Sequence, residues 1–198
     1  MRIIAGAYKG KRLVSLDSKG LNIRPTSDMA REALFSVLAR WPKGSFLDLF
    51  SGTGAVALEA LSRGYSPVWC VERNKSALAS IRANGSETCL NIIQKDARDI
   101  KAGYFCDVSV IFADPPYDKT LEMWDAMAER LRDFLSQDGV LVWECPKTAD
   151  LSKIPGLTNV CEKRYGAAKF LFFNAVNFIH GVNINKDKTE FRHCRDCD

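Results

Sequence analysis

An apolar run, Val108 to Ala113, leads directly into Asp114-Pro115-Pro116-Tyr117. Two consecutive prolines fix φ and remove two N–H donors, so this segment is a rigid loop whose carbonyls are left as acceptors. Asp114 adds a carboxylate acceptor and Tyr117 an aromatic face. The chemistry that uses this set is methylation of an exocyclic amino group on a planar ring. Such a nitrogen is a poor nucleophile, because its lone pair is delocalised into the ring. If the Asp114 carboxylate and the Pro115 carbonyl hold its two hydrogens, the nitrogen is drawn toward tetrahedral geometry and its lone pair is aimed at an electrophilic methyl. Tyr117 then stacks on the ring, which has to leave its base stack to reach the loop.

A donor cradle precedes this loop. Asp48-Leu49-Phe50-Ser51-Gly52-Thr53-Gly54-Ala55 reads as the end of a strand and the start of a helix. Gly52 and Gly54 permit a tight turn that lets a ligand approach the backbone, and the helix start offers free N–H groups. Only part of a dinucleotide fingerprint is present, with Ala57 where a third glycine would stand. The Asp48 carboxylate argues against a pyrophosphate and for a ligand with a sulfonium and an ammonium, which favours S-adenosylmethionine over a nicotinamide cofactor. Glu72 and Asp96 end the next two strands, where a carboxylate can accept from ribose hydroxyls and from an adenine amino group. Phe50 and Ser51 stand in the loop, and Arg73 and Ala97 come directly after the two acids. The candidate cofactor-binding residues are therefore Asp48, Phe50, Ser51, Gly52, Gly54, Glu72, Arg73, Asp96 and Ala97.

The elements that must position these residues alternate. Strands are expected at 45–50, 67–71, 90–94, 108–112 and 140–143, with helices at 55–63, 76–84 and 121–135 between them. Leu121, Trp124, Met127, Ala128, Leu131 and Leu135 form one apolar stripe on the last helix. An earlier helix, capped by Thr26-Ser27-Asp28, carries Ala30, Ala33, Leu34, Val37 and Leu38 on one face until Pro42. Alternating strands and helices imply a parallel sheet covered on both faces, and the strand pair 160–164 and 169–173 around Gly166 suits its antiparallel edge. Residues 1–25, broken by Gly6, Gly10, Gly20 and Pro25, suggest a small hairpin. The expected division is a basic appendage over 1–25, a catalytic domain over 26–180 and a polar, poorly ordered tail over 181–198.

Charge is concentrated at the front. Residues 1–40 carry eight basic and three acidic side chains, net +5, against +4 for the whole 198-residue chain. A basic end on a near-neutral body suits a polyanion partner, with Arg2, Lys9, Lys11 and Arg12 as phosphate contacts. Tyr8 suits either base stacking or hairpin packing. The 46% hydrophobic and 26% charged content is that of an ordinary globular protein. No apolar run reaches the roughly 18 residues a membrane span needs, and the first residues lack the apolar core of a signal peptide. Seven scattered cysteines, an odd number, point to reduced thiols and a cytoplasmic setting. His193-Cys194-Arg195-Asp196-Cys197, with His180, falls short of two spaced ligand pairs, so no metal is expected.

The stretch Asp48 to Gly54, then Leu58-Glu59-Ala60-Leu61-Ser62-Arg63-Gly64 and Asp114-Pro115-Pro116-Tyr117, resembles the RsmD family of bacterial 16S rRNA (guanine-N2)-methyltransferases. Arg2-Ile3-Ile4-Ala5-Gly6, Lys9-Gly10-Lys11, Arg24-Pro25-Thr26 and Arg31-Glu32-Ala33-Leu34-Phe35 extend the likeness across residues 1–176 and are more specific to that family. The resemblance implies an α/β, Rossmann-like class I methyltransferase fold, with a mostly parallel seven-stranded sheet and an antiparallel C-terminal edge pair. It also implies S-adenosylmethionine as donor and guanine in 16S rRNA, free or in an assembling small ribosomal subunit, as acceptor; separately, the chain is expected to act as a monomer. Arg24, Thr26 and Arg31 fall in the family segment that faces the active-site mouth and join the RNA-contacting set. Loops of the Asp-Pro-Pro-Tyr kind also serve adenine amino groups in DNA or RNA and glutamine amides in proteins. A non-catalytic RNA-binding protein with this fold is the reading from another class.

Overall fold

The computed structural model describes residues 1–14, 27–101, 103–175, 178–179 and 182–183. Its elements run α1 (Asp28–Leu38), β1 (Phe46–Leu49), α2 (Ala55–Ser62), β2 (Val68–Glu72), α3 (Lys75–Gly85), β3 (Leu90–Gln94), β4 (Val108–Ala113), α4 (Thr120–Phe134), β5 (Leu135–Pro146), β6 (Leu157–Tyr165), β7 (Ala168–Ala175), β8 (Phe178–Ile179) and β9 (Val182–Asn183). Two single 3-10 turns, Ala97–Asp99 and Tyr117–Lys119, come after β3 and β4.

Seven strands form one sheet in the order β3-β2-β1-β4-β5-β7-β6, and β8 and β9 pair separately. The first five strands are mutually parallel. β7 is antiparallel to both β5 and β6, which makes the expected edge pair. The chain leaves β1 on one side for β2 and returns on its other side as β4. The carboxyl ends of β1 and β4 therefore flank a crevice, the place where open α/β sheets bind ligands.

Strand alternation explains the two cores. Phe46, Val110, Val140, Val142, Phe170 and Phe172 face α1, α2 and α3. Leu47, Ile111, Leu141, Trp143, Leu171 and Phe173 point the other way, toward Trp124, Met127 and Leu131 of α4. The α4 stripe differs from expectation at its edges. Leu121, in the first turn, is 50% exposed, whereas Met123 and Phe134 are buried. Leu135 has already left the helix, and β5 begins there, five residues before the expected strand.

The N-terminal residues form a hairpin-like pair of arms, bridged at Arg2 and Arg12 and tied by Ile3 N–H to the Lys11 carbonyl at 3.0 Å. The arms are anchored to the body. Ile3 and Leu13 pack on Ala55 and Leu58 of α2. The buried Glu59 carboxylate accepts from the N–H groups of Ile4 (2.8 Å) and Ala5 (3.0 Å) and from Arg63 Nε (2.7 Å). Asn84 of α3 accepts from Val14 N–H and donates to the Val14 carbonyl. Gly6, at φ +85°, lies so close to α2 that a Cβ would stand 1.8 Å from the Ser62 carbonyl oxygen. Tyr8 is half-buried against this cluster with Lys11 Nζ 5.8 Å from its ring centre, which is the packing alternative of the two read from sequence. The expected boundary at residue 25, the residues Arg24 and Thr26, and the His193–Cys197 segment lie outside the described residues.

Candidate active site

A cavity of about 1210 Å³ opens at the carboxyl edge of the sheet. It is ample for a nucleoside-sized ligand and a planar base together. Phe50, Gly52, Glu72, Arg73, Asp96 and Ala97 line one end. Asp114, Pro115, Pro116 and Tyr117 line the other, so the two constellations read from the sequence meet in one space.

The loop after β1 is built by two left-handed glycines and one left-handed phenylalanine. Gly52 and Gly54 sit at φ +55° and +77°, and Phe50 at +61°. The Ser51 hydroxyl donates to the Asp48 carbonyl at 2.8 Å and fixes the turn from inside. Asp48 lies beneath the loop, 1% exposed, and its carboxylate accepts from Ala57 N–H at 3.2 Å. Burial pushes its carboxyl well above the ordinary range, and the charge of Glu72 adds to this, against the opposing hydrogen bonds from Ala57 and Ser51. Asp48, Ser51 and Gly54 thus shape the cradle from below, whereas Phe50 and Gly52 face the cavity.

Glu72 and Asp96 are carboxylates already supplied with donors. Glu72 Oε2 accepts from Gly52 N–H at 2.9 Å, and Oε1 from the N–H groups of Arg73 and Asn74 at 2.8 Å each. A carboxylate offers about four lone-pair positions, so Oε2 keeps room for one further donor. Asp96 caps the 3-10 turn through Arg98 N–H (3.0 Å) and accepts from Arg98 Nε (3.0 Å), Arg98 Nη2 (2.8 Å) and Arg73 Nη1 (2.9 Å). Arg98 above all holds the Asp96 carboxyl far below its usual range. This corrects the sequence reading of Asp96 as a free acceptor for an adenine amino group. Its four positions are taken, and it fixes Arg73 and the turn carrying Ala97 beside the cavity.

The loop at the opposite end offers few backbone donors. Pro115 and Pro116 have no N–H, and the Pro116 carbonyl is used by Lys119 N–H at 2.9 Å. Asp114 keeps part of its surface open to the cavity. Burial raises its carboxyl well above the ordinary range, and the charges of Glu144 and Asp48 raise it further. Glu144, 6% exposed, lies on the neighbouring strand β5 just past its last pairing with β4, and lines the same cavity. Its Oε1 accepts from the Tyr117 hydroxyl at 3.3 Å. Burial pushes its carboxyl up to about 7, against that hydrogen bond. Tyr117 is 39% exposed and lines the mouth of the cavity.

Several lining residues have no assignment from sequence. Glu144 is the most informative. The sequence signal for it is its place directly after the expected strand 140–143, the same kind of signal that singles out Glu72 and Asp96. Met29 of α1, 76% exposed, and the β6–β7 turn at Gly166 form part of the rim. That turn lies at the carboxyl edge because β7 starts, at Ala168, opposite Pro146 at the end of β5.

The basic residues divide. Arg2, Lys9 and Arg12 are exposed and Lys11 is half-exposed. Arg2 and Lys9 share a smaller cavity with Met29, which also lines the large one, so the basic arms adjoin its rim. Arg31 does not belong with them. Its side chain is fully buried and donates to the Arg2 carbonyl at 2.7 Å and to Asp28 at 2.9 Å. It ties α1 to the N-terminal arm and presents no guanidinium face to an RNA phosphate. Among the described residues no cluster of three or more metal-ligating side chains occurs, and no helix is long and apolar enough to cross a membrane.

Comparison with known proteins agrees with this geometry. YlbH of Bacillus subtilis, whose name proposes an rRNA methyltransferase, is 30% identical over 177 residues, 84% of this chain and 94% of that protein. Ribosomal RNA small subunit methyltransferase D of Escherichia coli is 33% identical over 129 residues, 61% of this chain and 62% of that protein. Among solved structures, the Escherichia coli protein yhhF superposes with a TM-score of 0.74 at 25% identity, covering 88% of this chain and 97% of that one. Residues 1–174 match the family model described as conserved hypothetical protein 95. The sheet order, the two-ended cavity and that match together show that the chain belongs to this family, the RsmD family of class I methyltransferases.

Proposed function

We propose that this protein transfers a methyl group from S-adenosylmethionine to the exocyclic N2 amino group of a guanine in 16S rRNA, acting as a monomer on RNA of the small ribosomal subunit. The observation that carries the reading is the Asp114 carboxylate, held on a proline-stiffened loop and facing a cavity whose other end is the Gly52–Glu72 cradle. S-adenosylmethionine, when bound, supplies a methyl group on a sulfonium. The residues present suit it: Gly52 brings backbone close to the ligand, Glu72 Oε2 has room for one ribose hydroxyl, and Ala97 offers an apolar wall for the adenine. Asp114 and the Pro115 carbonyl orient the amine, and Tyr117 stacks on the extruded base. Arg2, Lys9, Lys11 and Arg12 contact phosphates beside the rim, which supplies affinity more than base specificity. The relatives named for rRNA methylation support the choice of rRNA as substrate.

The test is transfer of labelled methyl to undermethylated small ribosomal subunits and 16S rRNA, beside duplex DNA and release-factor protein, with nucleoside analysis of the product. The expected product is N2-methylguanosine. Label confined to DNA or protein, or recovered as N6-methyladenosine, would overturn the reading.

A further inference from the structure

Glu144 is the buried titratable group at this cavity to which the proposed transfer gives no role. Its position comes from sheet register. Ala113 of β4 pairs with Trp143 of β5, so the next residue on each strand, Asp114 and Glu144, stand side by side. Adjacent parallel strands run about 4.8 Å apart, which brings two carboxyl groups together at one sheet edge. Glu144 Oε1 takes the Tyr117 hydroxyl, but Oε2 is buried with no hydrogen-bond partner among the described residues. A buried acceptor without a donor is costly, and a proton shared with a neighbouring carboxylate removes that cost.

We propose that Asp114 and Glu144 work as one proton-accepting pair: Asp114 contacts the amine, and Glu144 is the positioning residue behind it that lets the pair keep the proton the amine loses. This rests on the amino-methyl-transfer reading of the site. In the balanced step, the amine nitrogen bonds to the methyl carbon and the methyl–sulfur bond breaks with its electron pair left on sulfur. The nitrogen then gives one proton to the pair, which passes it to water after the product leaves. A lone exposed aspartate, ordinarily ionised down to about pH 4, is a weak base for this task. Two carboxylates in one dry site are a stronger one, because each disfavours the other's charge.

The surroundings of Glu144 are consistent with this role. Tyr117 faces it from the loop after β4 and Asp114 from the end of β4, and Asp48 on β1 acts on Asp114 in turn. On its other flank β7 pairs Phe170 with Glu144, while Lys169 acts on Cys145, one residue along. No cation is among the groups acting on the pair, and the Tyr117 hydrogen bond is the one influence that favours the charged form of Glu144.

The experiment tracks the carboxyl carbons of Asp114 and Glu144 by 13C NMR in the wild-type protein across pH, with methyl transfer measured in parallel. The two groups are expected to titrate together in two macroscopic steps. In Glu144→Gln the Asp114 midpoint falls by about one pH unit or more, kcat falls about 10–100-fold, and donor KM is unchanged. Glu144→Asp, which keeps a carboxylate, restores much of the rate. Independent one-step titrations in the wild type, or a Glu144→Gln protein with an unmoved Asp114 midpoint and full rate, overturn the pair. Coupled titration in a protein that methylates no RNA leaves the pair standing and overturns the proposed substrate instead. The wild-type titration decides the matter even if the glutamine variant does not fold.

Discussion

The two ends of the cavity carry the same residue types in opposite condition. At the donor end, Glu72 accepts three backbone N–H groups, and Asp96 is saturated by Arg98 and Arg73. At the acceptor end, Asp114 has no hydrogen bond among the influences on its charge, and Glu144 has one, from Tyr117. All four acids stand where the parallel pairing runs out at one sheet edge, so strand position does not separate them. The segment after each strand does. β2 and β3 run into turns whose free N–H groups, those of Arg73, Asn74 and Arg98, fold back onto the carboxylate. β4 runs into two prolines, which have none to give. β5 continues as a strand, and its backbone groups are committed to the ladder with β7. A carboxylate rich in donors is a fixed charge, suited to holding a ligand. A carboxylate starved of them stores or accepts a proton.

Removing the starved acid breaks the contrast most severely. Asp114→Ala is expected to lower single-turnover methyl transfer by about 10³-fold, the range of a lost general base with its orienting contact. Donor affinity, measured by calorimetry, stays near wild type because the Gly52–Glu72 end is untouched. Loss of donor binding in this variant would mean that the two ends are not separable. Stability gives the second contrast. The ordinary glutamate carboxyl ionises near 4.5, whereas folding raises Glu144 to about 7. The folded chain therefore binds the extra proton between those values. Its contribution to stability is complete below about 4.5 and is lost as pH rises through about 7. Glu144→Gln should match wild type in urea denaturation at pH 4 and exceed it at pH 8 by on the order of 2 kcal/mol. An equal difference at both pH values would show that Glu144 is not strained by its charge.

Much of this is legible in the sequence alone, and the parts that are not share a cause. Alternating apolar runs point to the parallel sheet, and the glycines and prolines to both loops, because those residues restrict the backbone locally. Ser27 is expected within the cap of α1, and it does accept from Ala30 N–H at 3.2 Å. Arg31 misleads because its type suggests a phosphate while its burial is decided by a carbonyl 29 residues earlier, that of Arg2. Asp96 reads as a free acceptor because nothing in one dimension brings Arg73 to it across β2 and β3. Glu144 is visible as a strand end but carries no role on that ground. Its meaning depends on which strand lies beside β5, and that is a property of sheet order. Local rules transfer from sequence to structure, whereas hydrogen-bond supply is set by neighbours distant in the chain.

The smallest effect tests the donor-rich end alone. Asp96 caps its 3-10 turn and joins Arg98 to Arg73, but these arginines are 43% and 59% exposed, so water screens the ion pairs and limits their worth. Asp96→Ala is expected to cost about 1 kcal/mol at pH 7, mostly from the lost cap. The pH dependence runs opposite to that of Glu144. Folding lowers the Asp96 carboxyl from its ordinary value of 3.8, so its contribution is present above that value and fades as pH falls below it. Wild type and Asp96→Ala should therefore converge in stability as denaturation is repeated from pH 7 toward pH 3. Arg73 and Ala97 lose their anchor in this variant, so donor affinity should fall severalfold while the Asp114 carboxyl titrates as before. A change in that titration would show that the two ends of the cavity communicate electrostatically, and the division between a holding end and a proton-storing end would then have to be redrawn.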